Sequence, residues 1–194
     1  QQSTTGPTPP PGIDRGKINL TEAGQVVISG VPSYIWQHGC GPTAVGMVVG
    51  YHDTHGYPDL IPGDASAQTT AVNDAIANTP HYNDYSLPLD YYPDLFTDKS
   101  ETGGAHISNC IADFMETSWS SRSNRYGWSY NSDINPSFEN YVQMMNSNYT
   151  TKTTYIYKSD PNIWSLYKNE IDNNRPVVFL VDSDGDGSTD HFIT

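Results

Sequence analysis

A cysteine between two glycines is the residue best suited to chemistry in this sequence. Cys40 stands between Gly39 and Gly41, and Pro42 follows, which suits the first turn of a helix because proline lacks a backbone N–H there. A thiol at a helix N-terminus meets free N–H groups and the positive end of the helix dipole, so we expect a lowered pKa at Cys40. The pattern predicts a helix over 40–51 with a nucleophilic thiolate at its start.

Two other roles remain open for Cys40. They are a disulfide with Cys110, the second of the two cysteines, and an inert thiol packed in the core. Around Cys110 the apolar spacing predicts a helix over 105–119, with Ile107 and Phe114 on the same stripe. A free cysteine packs on such a stripe as a small apolar side chain, so Cys110 needs no partner, and we favour catalysis at Cys40.

A thiol nucleophile needs an imidazole base within hydrogen-bond reach, and His191 is the best placed of the six histidines. The apolar run 177–181 predicts a buried strand, and residues 191–194 begin a second strand after a loop. A strand can hold His191 rigidly against the helix start that carries Cys40. We expect surface roles for the other five histidines, which are His38, His52, His55, His81 and His106.

The loop between these two strands carries aspartates in the spacing D-x-D-x-D-G-x-x-D. Carboxylates at this spacing can converge on one hard cation, the glycine makes the turn, and a main-chain carbonyl adds a ligand. Without a cation, the loop would be a solvated hairpin tip whose carboxylates repel one another. We expect a structural Ca²⁺ that fixes the strand bearing His191. Its ligands would be Asp182, Asp184, Asp186, Ser188 and Asp190.

The composition indicates an acidic globular chain. Its formal net charge of −13 repels phosphate backbones and anionic lipid, so nucleic acid and membranes are poor partner candidates. Residues 1–15 open with QQSTTGPTPPP, which is typical of a flexible leader that follows a removed signal peptide. We therefore expect a secreted, extracellular monomer with a single domain over 16–194 that acts on a peptide or protein substrate.

Helices precede strands along most of the chain. Apolar spacing predicts further helices over 68–77, 136–148 and 161–173, and alternating Thr and Tyr predict a strand over 151–158. This order indicates an α+β fold.

The two candidate catalytic segments resemble the C39-like family of cysteine peptidases, whose members have the papain-like fold. The resemblance covers about residues 30–194 and rests on the segment GCGPTA around Cys40 and on DHFIT around His191. It implies a helical lobe with Cys40 at the start of its central helix, and an antiparallel sheet that carries His191.

Two positions depart from that family's pattern. Family members often carry an oxyanion-hole Gln about six residues before the cysteine, where this chain has Tyr34, and Gln37 is the nearest substitute. The family's third residue, an Asn or Asp that orients the histidine, usually lies on a strand beyond it. The sequence has no candidate after His191, so we expect the C-terminal strands to be truncated.

Together these features predict a secreted thiol hydrolase that cleaves peptide or amide bonds through Cys40 and His191. Amidase or acyl-transfer chemistry would use the same residues. The main alternative is a non-catalytic, calcium-stabilised binding module on a degenerate peptidase scaffold, with the Tyr-rich segment 82–96 as a recognition surface. A further alternative is a purely structural domain in which a disulfide joins the two cysteines.

Overall fold

The computed structural model describes four stretches of the chain, which are residues 26–84, 106–119, 127–183 and 185–194. The predicted leader over 1–15, Asp184 of the acidic loop and most of the segment 82–96 lie outside the described residues. None of the helices in these stretches combines the length and the apolar character that crossing a membrane requires.

The fold is mixed, with several helices and a small antiparallel sheet. In the described residues the helices are α1 (Cys40–Thr54), α2 (Thr70–Ile76), α3 (Thr79–Asp84), α4 (Ile111–Phe114), α5 (Ile134–Met145) and α6 (Ile163–Asp172). A short 3-10 turn over Asn131–Asp133 precedes α5, and the strands are β1 (Phe179–Val181) and β2 (His191–Ile193). The predicted helices over 40–51, 68–77, 136–148 and 161–173 and the predicted strand over 191–194 are therefore confirmed, with ends that differ by a few residues.

Helix α1 lies at the centre of the packing. It contacts α2, α4, α5 and β2, and nearly all of its residues are buried. Two glycines allow this close packing, because Gly46 lies directly against Ile76 of α2 and Gly50 lies against the ring of Tyr34. The start of α1, which carries Cys40, is thereby held at a junction between the helices and the sheet.

The two strands pair antiparallel, with Leu180 opposite Phe192 and Val181 opposite His191. Phe192 packs against α1 in a small apolar cluster with Cys40 and Ala44, and Leu180 joins the same cluster. The sheet therefore covers the first turns of α1 with one of its faces.

The predicted helix over 105–119 is wrong, because helix α4 spans only its middle part, and Ile107 is 89% exposed. The cause is a capping box at Cys110. The thiol of Cys110 accepts a hydrogen bond from the backbone N–H of Asp113, whose carboxylate accepts one from the N–H of Cys110. Cys110 is held in an extended conformation (φ −141°), so the helix begins only after it.

The strand predicted over 151–158 is also absent, since that segment has no regular structure. Its side chains bond to neighbouring helical segments instead, as when the Tyr155 hydroxyl donates to the carbonyl of Asn131 (2.8 Å). The predicted buried strand over 177–181 is shorter and more open than expected, because only β1 is extended and Phe179 is exposed.

Candidate active site

Cys40 is the first residue of α1, and only 6% of its surface is exposed. Its sulfur accepts a hydrogen bond from the backbone N–H of Phe192 (3.4 Å) and further ones from the N–H groups of Gly41 and of Cys40 itself. Pro42 follows in the first turn, as predicted. Both cysteines are free thiols, so no disulfide joins Cys40 to Cys110.

The expected lowering of the Cys40 pKa is wrong for this arrangement. Burial raises the pKa of the thiol to about 11, although the N–H groups of Phe192, Gly41 and Cys40 act to lower it. The nearby carboxylate of Asp190 raises it further. The desolvation of a thiolate thus outweighs the stabilisation from the helix start, and the thiol holds its proton at neutral pH. It needs a base to become a nucleophile.

A tight turn before Cys40 is fixed by one hydroxyl group. The backbone N–H of Gln37 donates to Thr43 Oγ1 (2.9 Å), and the same hydroxyl donates to the carbonyl of Gly39 (2.7 Å). The N–H of Gly39 in turn donates to the carbonyl of Gln37 (2.6 Å). Gln37 is half-buried beside this turn. Its role as an oxyanion donor stays a prediction.

Tyr34, which stands where the resembled family often has an oxyanion-hole Gln, lies elsewhere in the molecule. Its ring packs against Gly50, ten residues along α1 from Cys40, which corresponds to about 15 Å at 1.5 Å per residue. Its hydroxyl donates to the carbonyl of Ala65. Tyr34 is therefore a core residue and does not reach the thiol.

The prediction that five histidines lie at the surface is wrong for His38 and His81, which are both fully buried. His38 Nε2 is 3.1 Å from Ser118 Oγ, and Ser118 Oγ accepts a hydrogen bond from the N–H of Gly127 (2.9 Å). Burial lowers the pKa of His38, and His81 lowers it further, so the His38 ring is neutral. The residue two positions before Cys40 thus bonds through Ser118 to the segment that begins at Gly127. The sequence contains no local pattern that marks this role.

A cleft opens beside the thiol, between the segment 127–131 and the two strands. It is lined by Cys40, Gly127, Trp128, Ser129, Tyr130, Asn131, Leu180, Thr189, Asp190 and Phe192. The cleft therefore combines a thiol, three aromatic rings and one carboxylate.

His191 begins β2, and its ring is half-buried. Its Nδ1 atom is buried and has no hydrogen-bond partner among the described residues. Burial lowers the pKa of His191, while the neighbouring Asp190 acts to raise it, so the ring is neutral at pH 7. Two covalent bonds separate His191 Cα from Phe192 N, so that Cα lies within about 6 Å of Cys40 Sγ. The catalytic pairing of the two side chains stays a prediction.

The acidic loop is closed by hydrogen bonds from main-chain N–H groups to carboxylates. Asp182 accepts from the N–H groups of Gly185 (2.6 Å) and Gly187 (2.8 Å), and Asp186 accepts from that of Ser188 (2.7 Å). The backbone of Gly187 is left-handed (φ +93°), as expected for the glycine that makes the turn.

Asp190 closes the far end of the loop. Its carboxylate accepts hydrogen bonds from the N–H (2.9 Å) and the hydroxyl (3.0 Å) of Ser183, and its own N–H donates to the carbonyl of Val181 (2.8 Å). Within the described part of the loop, the carboxylates of Asp182, Asp186 and Asp190 do not gather into a group within 4.8 Å of one another. Any cation would have to draw them together.

Comparison with known proteins gives one match. A family model described as the Peptidase_C39 like family matches residues 28–194, which include the Cys40 segment, the cleft and both strands. No curated protein and no solved structure gives a significant match.

Proposed function

Because the chain belongs to the peptidase C39-like family, we propose that it is a cysteine peptidase in which Cys40 is the nucleophile and His191 is the general base. One observation carries the assignment of these residues. The Cys40 sulfur is bonded to the backbone N–H of Phe192, the residue directly after His191. The two ends of the family match therefore meet at a single thiol, in a cleft.

The proposed reaction begins with a proton transfer. The raised pKa of Cys40 keeps the thiol protonated, and the lowered pKa of His191 keeps its imidazole neutral and able to accept that proton. Rotation of the His191 side chain, whose Cα is within about 6 Å of the sulfur, brings a ring nitrogen into hydrogen-bond reach. Catalytic hydrogen bonds commonly become short only when substrate is bound.

The sulfur then attacks the carbonyl carbon of the scissile peptide bond while its proton moves to His191. The oxyanion that forms accepts hydrogen bonds from backbone N–H groups at the start of α1, and the side chain of Gln37 is the candidate second donor. The imidazolium gives its proton to the departing amine, which leaves a thioester on Cys40. Water activated by His191 cleaves the thioester and restores the thiol.

The substrate class proposed is a peptide or protein segment in extended conformation, and the site of action is outside the cell. Trp128 and Tyr130 line the cleft beside Cys40 and support this substrate class, because aromatic rings cover peptide side chains. The acidic composition and the leader-like N-terminal segment support secretion.

We further propose that the acidic loop binds a structural Ca²⁺. Its supports are the spacing of the aspartates, the left-handed glycine turn and the oxygen-only donor set, which suits a hard cation. The loop joins β1 to β2, so a bound cation would stabilise the strand that begins with His191. The ligands proposed are Asp182, Asp184, Asp186, Asp190 and the carbonyl of Ser188.

Hydrolysis of unfolded protein substrates, followed by mass spectrometry of the products, tests the proposed function. We expect cleavage by the wild-type chain, no cleavage by Cys40→Ser, and covalent capture of Cys40 by a peptidyl electrophile. The proposed peptidase function would be overturned if peptides bind the wild-type chain, remain uncleaved and leave Cys40 uncaptured. That result would favour a binding module on the same scaffold.

A further inference from the structure

A second group of metal-binding side chains lies in the interior, outside the Cys40 site. His81 of α3, Cys110 at the N-cap of α4 and Asp113 in the first turn of α4 place one ligand atom each within 4.8 Å of one another. It is the only such group of three in the stretches that the structure describes. All three residues are buried. His106 lies beside this group but outside it, because its Nε2 atom is 3.2 Å from Asp113 Oδ2 but is not within 4.8 Å of all three ligand atoms.

The spacing of these atoms is close to that of ligands around one ion. Ligand atoms about 2.0 Å from a tetrahedral Zn²⁺ are about 3.3 Å apart. His81 Nδ1 is 2.6 Å from Asp113 Oδ1, and the contact to His106 measures 3.2 Å. Both contacts of Asp113 are therefore close to this spacing, whereas His106 has to move toward His81 and Cys110 before all four residues can bind one ion.

Helix capping explains only part of this arrangement. The Asp113 carboxylate also accepts hydrogen bonds from the backbone N–H groups of Asn109 (2.9 Å) and Cys110 (3.1 Å), which is sufficient to start α4. The N-cap position favours Ser, Thr, Asp or Asn, whereas cysteine is a weak acceptor there. A helix cap needs only acceptors for the free backbone N–H groups. It does not need a thiol and two imidazoles around one buried carboxylate.

We propose that Cys110, His81 and Asp113 form a structural binding site for Zn²⁺, which His106 completes as the fourth ligand by moving toward the ion. Thiolate and imidazole donors favour zinc over Ca²⁺ and Mg²⁺, which prefer all-oxygen sites. Four protein ligands fill a tetrahedral site and leave no open position for substrate, so the ion's role is structural.

Binding must release protons to solvent. Zinc binds cysteine as the thiolate, so the ion displaces the proton of the Cys110 thiol when it binds. Affinity should consequently fall as the pH is lowered.

The proposed site lies close to the nucleophile turn. The His81 ring packs edge-on against the ring of His38, with 4.6 Å between centroids, and His38 precedes Cys40 by two residues. A bound ion would tie α3 to the start of α4 and thereby support the buried side of the turn that carries Cys40.

The test uses the full chain, freed of metal by a chelator and titrated with Co²⁺. Co²⁺ takes the geometry of Zn²⁺, and its bond to a thiolate gives a charge-transfer absorption that oxygen and nitrogen ligands do not give. We expect this absorption in wild type and in the matched control Cys40→Ser, and its loss in Cys110→Ser. Added Zn²⁺ should displace the Co²⁺ and remove the signal.

A second variant keeps the test valid if the Cys110→Ser chain does not fold. His106 is partly exposed, so His106→Asn should fold and weaken Co²⁺ binding by about tenfold or more. No charge-transfer absorption in wild type, or an absorption lost in Cys40→Ser, would overturn the proposal. So would unchanged Co²⁺ affinity in His106→Asn together with retention of the signal in Cys110→Ser.

Discussion

The backbone N–H of Phe192 donates a hydrogen bond to the sulfur of Cys40, which lies 152 residues earlier in the chain. A second bond from the same strand region reaches α1, because the hydroxyl of Thr194 donates to the carbonyl of Ala44 (3.0 Å). These two bonds depend on the register of β2 against β1, which places Leu180 opposite Phe192. The position of the thiol is therefore determined jointly by the helix and the sheet.

Removal of the Thr43 hydroxyl should loosen the turn before Cys40. Thr43→Val leaves the N–H of Gln37 without its partner, and an unsatisfied buried polar group costs about 1–3 kcal/mol. The carbonyl of Gly39 loses the bond from the hydroxyl and keeps the one from the N–H of Thr43. We expect a fall of that size in the free energy of unfolding, measured by urea denaturation. Thr43→Ser keeps the hydroxyl and serves as the control. Equal stability of the Val and Ser variants would contradict this account of the turn.

The two glycines beside Cys40 should respond differently to a methyl group. A Cβ at Gly39 would lie 2.7 Å from the backbone oxygen of Gly127, whereas one at Gly41 would meet the flexible end of Met115 at 2.7 Å. Gly39→Ala should lower the free energy of unfolding by about 1–3 kcal/mol. Gly41→Ala should change it less, since the side chain can move and alanine favours the helix. If thermal denaturation shows that Gly41→Ala is less stable than Gly39→Ala, the packing described for this turn is wrong.

Stability should fall in mild acid because of His38. Its pKa is lowered in the folded state, so the unfolded chain binds the proton first, at its ordinary pKa of about 6.5. The stabilisation is complete above that pH and is lost as the pH falls from about 6.5 toward the folded pKa, by about 1.4 kcal/mol per pH unit. Asparagine tolerates the left-handed backbone at this position (φ +62°), so His38→Asn should flatten the slope between pH 6.5 and 5.

The lowered pKa values of His52 and His191 act in the same direction, so the slope should decrease in His38→Asn without vanishing. Urea denaturation at several pH values, in the presence of a chelator, measures the difference. Parallel slopes in wild type and His38→Asn would mean that the His38 ring is not buried as a neutral group.

Calcium added to metal-free protein should raise the melting temperature. A free ligand at 100 times its Kd adds about 2.7 kcal/mol to the free energy of unfolding. For a chain of this size, that raises the melting temperature by roughly 5–10 °C. The double change Asp182→Asn and Asp186→Asn should abolish the shift. Asp172→Asn, an exposed acid at the end of α6, is the matched control. If Ca²⁺ leaves the melting temperature of the wild-type chain unchanged, the loop is not a calcium-binding site.

The elements around Cys40 and His191 could be predicted from the sequence because their signals are local. Apolar spacing and a proline in the first turn mark α1, and a short apolar run after a turn marks β2. The helix predicted over 105–119 failed for an equally physical reason. The stripe that includes Ile107 is real in the sequence, but the bonds between Asp113 and the backbone around Cys110 delay the helix start.

The strand predicted over 151–158 failed for a different reason. Thr and Tyr favour strands only where a neighbouring strand accepts their backbone groups, and none pairs with this segment in the described structure. The buried roles of His38 and His81 rest on contacts to Ser118 and Asp113 that are distant in sequence. No spacing rule along the chain could have revealed them.

The Cys40–His191 pair is tested most directly by the pH dependence of Cys40 alkylation by iodoacetamide, read by mass spectrometry in wild type and His191→Ala. We predict that rotation of the His191 ring toward the sulfur allows wild-type Cys40 to react well below pH ~8.5, the ordinary pKa of a free thiol. His191→Ala lacks this base, so its thiol should react only toward the pKa of about 11 that burial sets. His55→Ala, at the other end of α1, should behave as wild type. Wild-type Cys40 that reacts only near pH 11, with the same profile in His191→Ala, would contradict the Cys40–His191 pair.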